Sequence, residues 1–211
     1  NFLFSRWCNN KQIDLINNTV LCGGNFVSVR ALCQGDYNSI KDWGDNENNF
    51  NYFPNTNFLY DIKNPSWINS KIDDDNGLYL VIIDNENQKI IGLTLLENID
   101  INNRNACWGI YISEEKYRKL NYSLESAFFI IDYAFFKLNL NKVYNNTLVA
   151  NQRGRKFHKS LGFKEEAIFN NQILIDGYYS DLIWSSITNQ EWSNKRIIIE
   201  NKIEKFLVNE N

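Results

Sequence analysis

The sequence predicts an α/β or α+β domain with a mixed, mostly antiparallel central sheet flanked by helices. Three observations carry this. Apolar segments of strand and helix length alternate along the chain, joined by very polar, Asn-rich loops. A long helical pattern, apolar around most of its circumference, stands between strand patterns. Near the C-terminus, Asp176-Gly177 separates two further strand patterns, a strong two-residue hairpin signal. Helices placed between strands imply layers of helix packed on a sheet.

Residues 1–24 show no clean period and read as an N-terminal extension. Phe26 to Leu32 alternates apolar and polar residues, the pattern of a half-buried strand. Asp36 is expected to cap a short helix reaching about Trp43. Residues 44–57 form an Asn-rich loop punctuated by Phe50, Tyr52 and Phe53. Asn64-Pro65 supplies an N-cap and a proline at the first helical position, opening a helix to about Ile72. Leu78 to Ile83 and Ile90 to Leu96 form a hairpin about a polar turn, and Ala106 to Ile112 is a third strand. The longest helix is expected from about Ser123 to Leu138. Leu124, Ala127, Phe128, Ile131, Phe135 and Leu138 share one face, and Phe129, Ile130 and Phe136 extend the apolar surface, which predicts a central, buried helix. Lys142 to Val149 is a strand, and Asn151 to Ser160 a short basic helix stopped by Gly162. Strands from Glu166 to Ile175 and Tyr178 to Ile187 follow, then a helix from Glu191 to Leu207. The reading is one domain over residues 25–192 with a helical extension over 193–211, without repeats.

Composition narrows the function. With 44% hydrophobic and 15% aromatic residues among 211, the chain can bury a sizeable core. The net charge of −3 lacks the basic excess of a nucleic-acid binder, so no nucleic-acid partner is expected. Cys8, Cys22, Cys33 and Cys107 show no CxxC spacing; no metal site is expected, and they read as reduced thiols of a cytoplasmic protein. The run Ala127 to Phe136 contains Asp132 and is far shorter than the roughly 20 residues of a membrane span, so no membrane association is expected. Arg6 interrupts the only apolar start. The lack of any methionine reads as a chain trimmed at its start.

The segment from Ile112 to Ser126 passes from strand through a short loop into the central helix. A helix N-terminus presents unpaired N–H groups and a partial positive charge, which suit a diphosphate. Arg118, Asn121 and Ser123, with Lys119 where a glycine is common, resemble the acetyl-CoA loop of the GNAT superfamily, although both expected glycines are missing. Downstream, Asn151 to Phe163 is similar to the family's segment ending in Leu-Gly-Phe. Asp176-Gly177-Tyr178-Tyr179-Ser180-Asp181 resembles the hairpin of its ribosomal-protein, polyamine and amino-sugar branch, and Glu191-Trp192 the close of that branch. The similarity runs from Phe26 to Trp192.

The resemblance implies the GNAT acyltransferase fold and an N-acetyltransferase moving acetyl from acetyl-CoA, its cosubstrate, to a primary amine. That amine belongs to a small molecule, a nucleotide-linked amino sugar or a protein N-terminus; a homodimer is left open. It implies that Arg118, Lys119, Leu120, Asn121, Tyr122 and Ser123 hold the diphosphate. The strand residues Ile110, Tyr111 and Ile112 would line the pantetheine arm, with backbone N–H groups for the carbonyl oxygen. His158 stands where the family often has a tyrosine acid, and Asn151 matches its cofactor-contacting Asn, though both fit plain structural roles. Arg153, Arg155, Lys156 and Lys159 would offer charge to a phosphate, Arg155 foremost, or form a solvated face. Cys107 replaces the branch's usual carboxylate, leaving Glu97 and Asp100 as candidate bases. Asp181 would bind an ammonium group or brace its hairpin, and Trp43 with Phe50 to Phe53 would wall the acceptor pocket. The competing reading is a degenerate GNAT fold that binds CoA or another protein without catalysis.

Overall fold

The structure, a computed structural model, describes residues 20–45, 61–175 and 177–209. Asp176 and the aromatic residues Phe50 to Phe53 lie outside them. The strands are β1 (Val20–Gly23), β2 (Val27–Ala31), β3 (Leu78–Asp84), β4 (Ile90–Asp100), β5 (Asn105–Ile112), β6 (Lys142–Leu148), β7 (Lys164–Ile175) and β8 (Tyr178–Thr188). They form one sheet in the order β1-β2-β3-β4-β5-β6-β8-β7. All neighbours are antiparallel except β5 and β6, which run parallel. The helices are α1 (Tyr37–Ile40), α2 (Pro65–Ile72), α3 (Leu120–Phe136), α4 (Gln152–Leu161) and α5 (Asn189–Asn209).

Alternation along the strands sorts two cores onto the two faces of the sheet. Tyr79 and Val81 of β3 join Ile40, Trp67 and Ile68 beside α1 and α2, whereas Leu80 and Ile82 join Phe128 and Ile131 of α3. Helix α3 is apolar nearly all round because it is enclosed. Sheet residues cover one side, and Trp192, Ile199 and Ile203 of α5 complete the same core. Asp132 of α3 ties the two helices together, accepting from Trp192 Nε1 at 3.0 Å and from Arg196 Nε at 2.6 Å.

Several expectations need correction. β1 pairs with β2, so residues 20–23 belong to the sheet and not to an extension. Four residues are too few for a strand period to show. Residues beyond 192 likewise continue α5, whose Ile199 and Ile203 are fully buried. At 21 residues α5 exceeds the 17 of α3 and is the longer helix. Phe136, expected inside, is 50% exposed in the last turn of α3. Asp36 does not cap α1 with its side chain; it makes a two-pronged pair with Arg30 at 2.6 and 2.7 Å and accepts from the Cys33 N–H. The Asn64 cap is present, its side chain accepting from the Ser66 N–H at 3.0 Å.

Two glycines are required by geometry. A Cβ on Gly92 would stand 2.2 Å from the Tyr111 carbonyl oxygen, so β4 and β5 meet only without one. Gly162 ends α4 at φ +100°, a left-handed conformation that favours glycine.

Candidate active site

The site opens where the sheet splits. The ladder between β5 and β6 holds three residue pairs, the last being Cys107 with Tyr144. Beyond it β5 stays bonded to β4 as far as Ile112, and β6 stays bonded to β8 as far as Leu148. The facing edges from Trp108 and Asn145 onward have no strand between them. Two cavities of about 740 and 790 Å³ lie there and share Ile110, Tyr111, Asn151, Gly154 and Phe157 in their walls.

One cavity reaches the start of α3, lined by Arg118, Leu120 and Ser123 together with Arg153, Lys156 and Ser160 of α4. The missing glycines impose no backbone strain, because no residue from Arg118 to Ser123 has a positive φ. Lys119 is an extended N-cap at φ −83° that gives the first turn no side-chain hydrogen bond. Its side chain is exposed, while that of Asn121 is buried. The Arg118 guanidinium folds back, donating to the carbonyls of Ile112 at 3.0 Å and Ser113 at 2.9 Å. It braces the turn rather than projecting from it, and Arg153 donates to the Arg118 carbonyl.

Helical spacing decides which cations of α4 face this cavity. Arg153, Lys156 and Ser160 follow one another at three and four residues and share a face. Arg155 points away: it pairs with Glu165 at 2.8 Å and donates to the Val149 carbonyl at 3.2 Å, so its expected role at the cofactor is corrected. Asn151 caps α4, accepting from the Gly154 N–H at 2.8 Å, and still lines both cavities.

The other cavity is lined by Lys71, Tyr79, Glu97 and Cys107, among others. Glu97 lies across the β4–β5 ladder from Cys107. The Tyr79 hydroxyl donates to Glu97 Oε1 at 2.7 Å and Lys71 Nζ stands 3.2 Å from the same oxygen. Asp61 is on the same wall. Burial, then the charge of Glu97, pushes the Cys107 thiol up to about 12, which disfavours the thiolate. Asp100 is corrected as a candidate base: its carboxylate is taken up in closing its own turn, accepting from the backbone and side-chain nitrogens of Asn103. Asp181 braces its hairpin through the Asn171 N–H at 2.8 Å. Trp43 packs against Tyr111 with ring centres 5.5 Å apart.

His158 lines this same cavity but is enclosed by aromatic rings, with Trp108 edge-on at 5.6 Å and Phe163 at 6.0 Å. Burial lowers its pKa from 6.5 to about 4, which disfavours the imidazolium form that a strong proton donor would need at pH 7. A depressed value means that the unfolded chain takes up the proton first. Stability from this residue is intact above pH 6.5 and drains away as pH falls toward 4, by up to about 3 kcal/mol. The pH 7 to pH 5 drop in Tm is therefore expected to shrink in His158→Gln; an equal drop in both proteins would reject the buried, neutral ring.

Asn145 and Thr147 of β6 and Phe157 of α4, which sequence reasoning passed over, also line the cavity that holds Glu97 and His158. A readable signal was there for Asn145: it interrupts the buried face that Val143 begins. Among the described residues no group of three or more His, Cys, Asp or Glu could hold a metal, and no helix is long and apolar enough to cross a membrane.

The family model described as "Acetyltransferase (GNAT) domain" matches residues 29–184. The Bacillus subtilis protein YdaF, provisionally described as a ribosomal N-acetyltransferase, is 29% identical over 51% of this chain and 58% of its own length. The spermidine N(1)-acetyltransferase of Vibrio cholerae is 26% identical over 80% of this chain and 96% of its own. A crystal structure of spermidine N-acetyltransferase from Vibrio cholerae, in complex with CoA and spermine, superposes with a TM-score of 0.71 at 24% identity, covering 81% of this chain and 99% of that one. With the split sheet and the cavity at the start of α3, the match over residues 29–184 places this chain in the GNAT acetyltransferase family.

Proposed function

We propose that this chain acetylates a small, cationic primary amine, with acetyl-CoA laid along the opened edge of β5. Acetyl-CoA is the cosubstrate and transfer to an amine is the chemistry of the family. The observation that carries the reading is the meeting of two cavities at Ile110 and Tyr111, inside the gap between β5 and β6. The first-turn N–H groups of α3, around Leu120 and Tyr122, take the diphosphate. Arg153 and Lys156 add positive charge there, in place of Arg155. The N–H groups from Gly109 to Ile112 hold the pantetheine arm and the carbonyl oxygen, and Asn151 touches the arm.

The amine enters past Asp61 and Glu97, whose carboxylates favour a cation. Glu97, held by Tyr79, takes the proton that the nitrogen must lose. That first proton goes on to solvent; a second, released from the nitrogen once the C–N bond has formed, passes to the leaving thiolate directly or through water. The name of the Vibrio cholerae relative and the spermine in its crystal support a polyamine-like acceptor. The cytoplasm suits such an enzyme, and Cys107 is a free thiol.

Acetyl-CoA is expected to raise Tm, and spermidine is expected to release free CoA thiol from it. Arg153→Ala/Lys156→Ala should raise the KM for acetyl-CoA about tenfold, the loss of two phosphate contacts at roughly 0.7 kcal/mol each. No Tm shift at millimolar acetyl-CoA would end the transferase reading. A normal KM in the double variant would end the assignment of these two cations.

A further inference from the structure

The fork holds a polar group that the mechanism above does not use. Asn145 is the first residue of β6 after the last β5–β6 pair, as Trp108 is on β5. Its side chain is 2% exposed, and neither Oδ1 nor Nδ2 has a hydrogen-bond partner. It nevertheless lies on the cavity wall. Its neighbour on the same face, Thr147, is engaged by Asn151 Nδ2 at 3.3 Å. A buried carboxamide without partners costs stability that a leucine of similar size would not. Buried polar groups left unsatisfied call for an explanation, and a bound group that supplies the missing partner is one.

We infer that Asn145 is a catalytic residue, its Nδ2–H donating to the carbonyl oxygen of the thioester and to the oxyanion formed from it. This rests on the acetyltransferase reading. The amine lone pair forms the C–N bond, and the carbonyl π pair moves to oxygen, where Asn145 and the β5 N–H groups stabilise the charge. Collapse restores C=O and breaks C–S, with the pair leaving on the CoA sulfur. The surplus proton on nitrogen passes to that sulfur, giving amide and free thiol. Such a donor acts mainly on the transition state, so its loss lowers kcat more than it raises KM.

The test compares Asn145→Leu and Asn145→Asp with wild type, reading CoA-thiol release with spermidine and thermal unfolding with and without CoA. Expected for Asn145→Leu is a Tm equal to or above wild type, CoA stabilisation kept, KM for acetyl-CoA within twofold, and kcat down by about 100-fold. Asn145→Asp, of the same shape but without the donor, should not restore kcat. A kcat within threefold of wild type in Asn145→Leu overturns the inference. So does recovery in Asn145→Asp, or a Tm loss in Asn145→Leu large enough to account for the activity lost. If wild type itself releases no thiol, the transferase reading falls, and the role of Asn145 with it. An active wild type with an unimpaired leucine variant removes only the latter.

Discussion

Glu125→Ala is expected to destabilise the protein by about 4 kcal/mol or more, lowering Tm by roughly 8–16 °C. Glu125 sits on α3 with no exposed surface. Its carboxylate accepts three backbone N–H groups from the turn between β1 and β2: Asn25 and Phe26 at 2.7 Å and Val27 at 2.8 Å. Truncation leaves these donors without an acceptor, at about 1–3 kcal/mol each where they are buried. The same carboxylate explains Gly24, whose added Cβ would stand 2.2 Å from Glu125 Cδ. This turn is remote from the fork, so kcat below the melting transition should be unchanged. A loss under 1 kcal/mol would show that the turn finds other acceptors and that α3 does not anchor the sheet edge in this way.

Glu97→Gln is expected to lower kcat/KM by about 100-fold with little change in Tm. The amide keeps the shape and one oxygen for the Tyr79 hydroxyl, so the wall of the pocket survives. It cannot accept a proton from the attacking nitrogen. Activity within threefold of wild type would remove Glu97 as the base and leave Asp61 or solvent for that step.

Much of this was legible in the chain. Period-two and helical patterns are local, and they located the β3–β4 hairpin, α3 and the Asn64 cap within a few residues. The helix start after β5 was placed within three residues, at Ser123 where α3 begins at Leu120, because a strand followed by a helix N-terminus is written in consecutive residues. Charged and polar side chains were harder to place, because their partners lie far along the chain. Arg155 and Lys156 are adjacent, yet one pairs with Glu165 and the other faces a cavity. Asp100 is consumed by its own turn, whereas Glu97 lies three residues earlier on the cavity wall. β1 was missed because four residues at a sheet edge carry almost no periodic signal.

By itself, then, the sequence determined the order and kind of most elements, the buried nature of α3, and a helix start just after β5. Those are properties of residues near one another in the chain. Only the tertiary structure decided that β5 and β6 stop pairing after Cys107 and Tyr144, and which side chains look into the gap this leaves. A strand can continue bonded on one edge while its other edge opens. That depends on contacts between residues tens of positions apart, which no local pattern records.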